Sequence, residues 1–288
     1  MDKSKQQVLT EWLDGGFGVA LKAGPPLESF RSVYQQIDVV DTVSLGRAFL
    51  LDGSLMSAAG DEWCYHENAV HLAAITHPAP RHALIIGGGD GGAARQLLKH
   101  PSIESVTISE LDPAVLDMAR RHLGAVHQGA LDDPRVTVHA SEGKAFLRLD
   151  TRAYDLIVLD LTDPLGAAAP LYTEEFFQLC RDHLTAQGAL SLHLGSPQFQ
   201  GVQVAALYRA LCSVFATVRP YLVPIALYGG MWAMACAADS LDPATLDSNE
   251  VGARLAARRI DGLNYYCGAT HVAVQALPPF VQRLLVLS

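Results

Sequence analysis

The sequence predicts an α/β fold: a doubly wound, largely parallel sheet with a small N-terminal β-domain. Three features predict it. From His82 onward, nearly continuous apolar runs alternate with helical segments, as strands buried on both faces require. A cluster of five glycines, Gly87 to Gly89 with Gly91 and Gly92, follows the first of those runs directly and precedes a helix. Upstream, two short β-rich runs are joined by a glycine-containing turn.

The elements are expected in the following order. Ile37 to Val40 and Ala48 to Leu51 form a hairpin or small antiparallel sheet around the turn at Ser44 to Arg47. Asp61 to Thr76, free of Gly and Pro, reads as a helix, and the Pro-broken stretch His77 to Arg81 ends it. The alternation then runs through the strand Ala83 to Gly87, a helix at Ala93 to His100, the strand Val106 to Glu110 and a helix at Pro113 to Leu123. The strand Val136 to His139, a short helix at Lys144 to Leu149, the strand Tyr154 to Asp160, a helix at Glu174 to Leu184 and the strand Ala189 to Leu194 continue it. Length and rhythm together divide the chain into a β-domain over 1–60 and a catalytic domain over 61–288.

Composition removes several function classes. Half of the 288 residues are hydrophobic and 18% are charged, so disordered and low-complexity classes are out. A formal net charge of -9 argues against nucleic acid as partner and suits cationic small molecules. The five cysteines show no paired spacing, which points to reduced thiols and no zinc. Met1 to Lys5 is polar with no apolar run behind it, and no stretch reaches the 18 apolar residues of a membrane span. A cytoplasmic protein without membrane contact is expected.

Glycines between a buried strand and a helix let a backbone approach a ligand, and the helix start offers free N–H groups. Glu110, at the end of the next strand, stands where a carboxylate can accept from both hydroxyls of a ribose. Dinucleotides and S-adenosyl compounds both use this arrangement. Asp90 separates them, because a carboxylate inside the glycine loop repels a pyrophosphate but pairs with an amine on a sulfonium nucleoside. Ser141-Glu142-Gly143 ends a later strand within reach of an adenine edge, although an ordinary turn reads the same way. Asp160 and Asp163 lie three apart beyond the carboxyl end of a parallel strand, where two carboxylates would receive a cation. His66 and His71 are five apart, which misses the i, i+4 spacing of a metal pair, and no metal site is expected.

Taken together, YQQI at Tyr34 to Ile37, LLDG ending at Gly53, DEWCYHE at Asp61 to Glu67, LIIGGGDGG at Leu84 to Gly92, ELDP at Glu110 to Pro113, DLTDPLG at Asp160 to Gly166 and the late LNYY resemble the polyamine aminopropyltransferases. Spermidine synthase is the familiar member of that family, and the resemblance spans about Tyr34 to Pro278. It implies a Rossmann-like catalytic domain of the S-adenosylmethionine-methyltransferase type and transfer of an aminopropyl group from decarboxylated S-adenosylmethionine to an amine such as putrescine, with release of methylthioadenosine. The nucleoside is then a co-substrate, with no cofactor, and the assembly a homodimer or homotetramer. Carried over residue by residue, Gln35 and Glu110 resemble nucleoside contacts, with Glu142 and Gly143 at the adenine end. Asp90 resembles the partner of the aminopropyl amine. Tyr65, His66, Asp160 and Asp163 resemble the acceptor-amine site, with Asp160 taking the proton.

The departures from the pattern fall mainly at the acceptor end. Met56 stands where the family has glutamine, Leu161 interrupts the acidic loop, His193 replaces a glutamine, and a family tyrosine aligns with Leu227, next to Tyr228. These leave two competitors in view: a methyltransferase using the same glycine loop, and a non-catalytic paralogue that binds polyamine or nucleoside.

Overall fold

Two sheets and ten helices are described by a computed structural model covering residues 6–164 and 166–286. The polar opening Met1 to Lys5 and Leu165 of the acidic loop lie outside the described residues. The first sheet contains β1 (Gln7–Trp12), β2 (Gly18–Ala23), β3 (Glu28–Arg31), β4 (Gln36–Thr42), β5 (Gly46–Leu51) and β6 (Ser54–Ala58), all antiparallel, in the order β1-β2-β4-β5-β6 with β3 also pairing with β4. The expected hairpin is β4 with β5. Thr42 closes its turn, the hydroxyl donating to Gly46 O at 2.8 Å and accepting from Leu45 N at 2.9 Å. Ile37, Val39, Ala48, Leu55 and Ala58 point inward and share a core with the helices that follow.

The second sheet contains β7 (His82–Gly87), β8 (Ser105–Glu110), β9 (Val136–Ala140), β10 (Tyr154–Asp160), β11 (Leu184–Gly195), β12 (Thr217–Ile225) and β13 (Gly230–Ala238), in the order β12-β13-β11-β10-β7-β8-β9. The five strands from β11 to β9 are parallel, as expected, and β13 and β12 add an antiparallel pair at one edge. Pro220 and Pro224 fit β12 because an edge strand need not donate from both sides. Alternate residues of β7 serve two cores. Ala83 and Ile85 pack toward the N-terminal sheet, while Leu84 and Ile86 pack toward the opposite face.

The helices are α1 (Glu62–Thr76), α2 (Gly92–Leu98), α3 (Pro113–His122), α4 (Gly124–His127), α5 (Gly143–Leu149), α6 (Glu174–Asp182), α7 (Gly201–Val214), α8 (Ser248–Ala257), α9 (Gly268–Val274) and α10 (Pro279–Val286). Phe176, Phe177 and Cys180 of α6 and Val204 and Leu211 of α7 fill the Leu84 face; Val115, Met118 and Ala119 of α3 fill the Ile85 face. The helix expected to reach Leu184 stops at Asp182, because Leu184 already pairs with Tyr154 in the sheet. None of these helices is long and apolar enough to cross a membrane.

α1 runs through the middle of the molecule, with every residue but Trp63 buried. Its last carbonyls would be orphaned at such a depth. Arg254 donates to Ile75 O and Thr76 O at 2.8 Å, and Arg258 to Ala74 O and His77 O at 2.6 Å, so two guanidinium groups from the C-terminal region supply the cap. The segment bearing LNYY is fastened by Glu67, whose buried carboxylate accepts from the backbone N–H of Asn264, Tyr265 and Tyr266 at 2.8 Å each.

Candidate functional site

Strand order places the site. β7 has β8 on one side and β10 on the other, so the connections leave in opposite directions and a crevice opens at the carboxyl ends. The register aligns Asp160 with Gly87 and leaves Glu110 at the end of β8. A cavity at this edge is lined by Gln35 and Met56 from the first sheet, Tyr65 and His66 from α1, the loop Gly87 to Asp90, Glu110, Glu142, Gly143, Asp160, Leu161 and Tyr228.

The glycine loop owes its composition to contacts. At Gly88, where φ is +67°, a Cβ would lie 2.5 Å from Ile85 Cγ2 and 3.1 Å from Asp160 Oδ2. At Gly92 a Cβ would lie 2.2 Å from Cε1 of His66, so the start of α2 and the imidazole fit only without a side chain there.

The nucleoside end is built around Glu110. Its Oε1 accepts from Asp112 N at 3.0 Å and its Oε2 from Gly89 N at 3.2 Å, which fixes the carboxylate plane. Burial, with the charge of Asp112 adding to it, outweighs those N–H groups and raises the carboxyl to about 7. Asp112 also accepts from Gln35 Nε2 at 3.1 Å and from Ser32 Oγ at 2.6 Å, tying the first sheet to this end. Glu142 caps α5, its two oxygens accepting from Lys144 N and Ala145 N at 2.9 and 2.8 Å. It forms cavity wall with its carboxylate already committed to the helix. Gly143 is equally constrained, since a Cβ would meet Ile86 Cγ2 at 2.3 Å.

The amine end is a buried charge cluster. Asp90 Oδ2 accepts from Ser57 Oγ and Oδ1 from Gly92 N, both at 2.9 Å. His66 Nε2 lies 3.5 Å from Asp90 and 3.9 Å from Asp160, while its Nδ1 lies 2.7 Å from Glu62. Arg95 backs Glu62 at 2.8 Å. Burial disfavours an imidazolium, but Asp90, Glu62 and Asp160 outweigh it and raise His66 to about 9. Asp160 is raised to about 6, by burial first and the charge of Asp90 second, against the pull of His66 and Tyr65. Its Oδ2 is buried with no hydrogen-bond partner among the described residues. The Tyr65 phenol facing it is pushed well above its ordinary value by burial and by Asp160, so it stays a phenol.

His66, Asp90 and Asp160 bring three donor atoms within 4.8 Å of one another. A metal would need the Nε2 lone pair of His66, and Glu62 on Nδ1 with Asp90 and Asp160 facing Nε2 favours the protonated ring, which has no such lone pair. The cluster therefore suits an organic ammonium.

The structure thus brings together Gln35, Tyr65, His66, Asp90, Glu110, Glu142, Gly143 and Asp160 in one cavity wall. Asp163 is not part of that wall: its Oδ2 accepts from Gln200 Nε2 at 2.9 Å, and its Oδ1 lies 3.9 Å from His193 Nδ1. Of the altered positions, Met56 and Leu161 line the cavity and His193 does not. Leu227 is buried with its N–H on Asp61, and its neighbour Tyr228 lines the cavity, its ring 6.3 Å from that of Tyr65 and its hydroxyl donating to Met56 O at 2.5 Å. Sequence reasoning missed Glu62, Arg95 and Ser57, which hold the charged side chains in place. Only Glu62 carried a signal, four residues before His66 on one helix face.

Known proteins resemble this chain in sequence and in fold. The family model for the spermine/spermidine synthase domain matches residues 62–247. A polyamine aminopropyltransferase of Nitrosomonas europaea is 48% identical over 96% of this chain and 85% of its own, and one of Moorella thermoacetica is 38% identical over 93% and 92%. A solved spermidine synthase in complex with the transition-state analogue AdoDATO superposes with a TM-score of 0.92 at 35% identity, covering 98% of this chain and 96% of that one. The spermidine synthase of Thermotoga maritima superposes with a TM-score of 0.90 at 35% identity, over 98% and 95%.

Proposed function

The chain belongs to the spermine/spermidine synthase family, and from that premise we propose that it moves the aminopropyl group of decarboxylated S-adenosylmethionine onto an amine of the putrescine type. Glu110 and Gln35 receive the ribose, the wall around Glu142 and Gly143 receives the adenine, and Asp90 pairs with the aminopropyl ammonium. The acceptor enters as an ammonium beside Asp160, Tyr65 and His66. Asp160 takes its proton, and the freed lone pair attacks the methylene next to the sulfonium. The new C–N bond forms as the C–S bond breaks, and the electron pair of that bond stays on sulfur, giving neutral methylthioadenosine and a secondary amine. Charge is conserved because the sulfonium charge ends on the product ammonium, and the transferred proton rests on Asp160 until solvent removes it.

The observation that carries this reading is the unpartnered buried oxygen of Asp160 beside Asp90 and a protonated His66. A buried carboxylate oxygen without a donor costs on the order of 1–3 kcal/mol or more, and an entering ammonium removes that cost while giving up its proton. A raised carboxyl is also the better base near neutral pH, since its proton affinity approaches the working range. Tyr65 stays protonated and orients the amine by hydrogen bonding. A methyl donor would bring a methionine carboxylate against Asp90, so the same residue that favours the decarboxylated donor disfavours the intact one.

The test is to incubate the protein with either donor and a panel of diamines and polyamines and identify products by mass spectrometry. Methylthioadenosine with an amine heavier by one aminopropyl unit is the expected result. S-adenosylhomocysteine with a methylated amine, or retained nucleoside binding with no product, would overturn the proposal.

A further inference from the structure

His193 sits at the end of β11, buried and outside the cavity wall, with its ring engaged on both sides. Nε2 lies 3.0 Å from Leu161 O and 2.7 Å from Tyr172 Oη, and Tyr172 Oη donates to Thr162 O at 2.9 Å. On the other side Trp232 Nε1–H donates to Nδ1 at 3.3 Å. An indole nitrogen can only donate, so Nδ1 is a bare acceptor and the ring is the neutral Nε2–H tautomer. One imidazole and one phenol thus hold the carbonyls of Leu161 and Thr162, the two residues between Asp160 and Asp163.

The groups facing this ring come from four elements. Tyr65 of α1 approaches to 6.3 Å between ring centres, Tyr172 follows the turn at Gly166–Leu171, Trp232 belongs to β13, and Asp163 of the acidic loop places Oδ1 3.9 Å from Nδ1. Both phenols are neutral, since burial raises each far above its ordinary value. Burial likewise holds His193 below its ordinary value against the pull of Asp163. The Asp163 carboxylate thus stands beside a nitrogen that Trp232 occupies.

We propose that His193 is the positioning residue of the acidic loop: neutral, it holds Leu161 and Thr162 by their carbonyls, and a proton on Nδ1 moves the ring from Trp232 to Asp163 and loosens that loop. The inference rests on the aminopropyl transfer proposed above. It says that acceptor binding weakens as pH falls below the ordinary imidazole range through a residue that touches no substrate, because the protonated ring claims Asp163.

The test uses His193→Gln, whose amide can give to Leu161 O and accept from Trp232 but cannot titrate, beside His193→Leu, which does neither. At pH 7.5, His193→Leu lowers kcat/KM for the amine tenfold or more with methylthioadenosine affinity unchanged within twofold, and His193→Gln restores it to within about threefold of wild type. As pH falls from 7 to 5.5 the acceptor KM of wild type rises more than that of His193→Gln. Trp232→Phe frees Nδ1 and moves this rise to higher pH. A wild-type acceptor KM in His193→Leu, or a His193→Gln enzyme no better than His193→Leu, overturns the proposal. Long-range 1H–15N spectra of the imidazoles decide the tautomer without turnover. Nε2–H is expected at pH 7.5, and Nδ1–H or an imidazolium there overturns the inference even in a protein that transfers nothing. An absence of transfer with Nε2–H observed would count against the proposed function alone.

Discussion

In the proposed function, Glu110 couples nucleoside binding to protonation. Its carboxyl, raised by burial to about 7 in the free protein, must be ionised to accept from a ribose diol. Affinity for methylthioadenosine is expected to hold above pH 7 and to fall below it by up to about tenfold per pH unit, as protons compete for the carboxylate. Isothermal titration at pH 8 and pH 6 checks this, and a pH-independent affinity would place the ribose elsewhere. The proposed function has Asp90 set donor choice by repulsion as well as attraction: Asp90→Ala should lower the preference for the decarboxylated over the intact donor at least tenfold, measured as the ratio of kcat/KM values. Asp90, Glu110 and Asp160 were legible because each chemistry demands a carboxylate in the glycine loop or at a strand end, whereas Gln35, Tyr65 and His66 were reached only through the family resemblance. Ser57 and Arg95 were not legible, since a serine or an arginine means nothing until the fold juxtaposes it with a charge.

At the scale of elements, α1 links the catalytic cluster to the C-terminal region. Tyr65 and His66 face the cavity, Glu67 anchors the LNYY segment, and Arg254 and Arg258 cap the far end. Arg258→Ala removes donors from three carbonyls and from His100, and is expected to cost about 2–3 kcal/mol in urea unfolding while leaving methylthioadenosine affinity within a few-fold. An effect below about 0.5 kcal/mol would mean that solvent can cap α1 in its place. Most elements from β4 to β11 were readable because their periods are clean and their boundaries are marked by Gly and Pro, while the short β6 and α4 went unread. The later strands were hidden: β13, GMWAMACAA, consists largely of residues that favour helices, and β12 carries two prolines. Their strand state comes from pairing with β11, which no local pattern encodes.

At the scale of the molecule, burial keeps histidines neutral where the chain folds over them. His71 Nε2–H donates to Gln96, so its Nδ1 accepts from His100, whose other nitrogen accepts from Arg258. Burial lowers His71 to about 3, and His77, His100, His193 and His271 are also held below their ordinary values, chiefly by burial. The unfolded chain takes up these protons near pH 6.5 and the folded one only at lower pH, so stability is full above 6.5 and falls as pH drops below it, for His71 down to about 3. The slope reaches about 1.4 kcal/mol per pH unit for each group that remains neutral. His66, raised to about 9, works in the other direction: its contribution is full below 6.5 and is lost as pH rises through 9. The urea midpoint is accordingly expected to fall between pH 7.5 and 5, and a constant midpoint would contradict the neutral network.

The claim that Asp160, with one oxygen buried and unpartnered, takes the acceptor's proton is tested most directly by single-turnover formation of methylthioadenosine, with both substrates saturating, in wild type and Asp160→Asn from pH 5 to 9. Wild type should show a rate that falls only at or below about pH 6, because a bound ammonium can only lower the Asp160 carboxyl from its value in the free protein. Asp160→Asn should be slower by roughly 10²-fold or more and lack that limb. An amide variant with the wild-type rate and the wild-type pH profile would contradict the account.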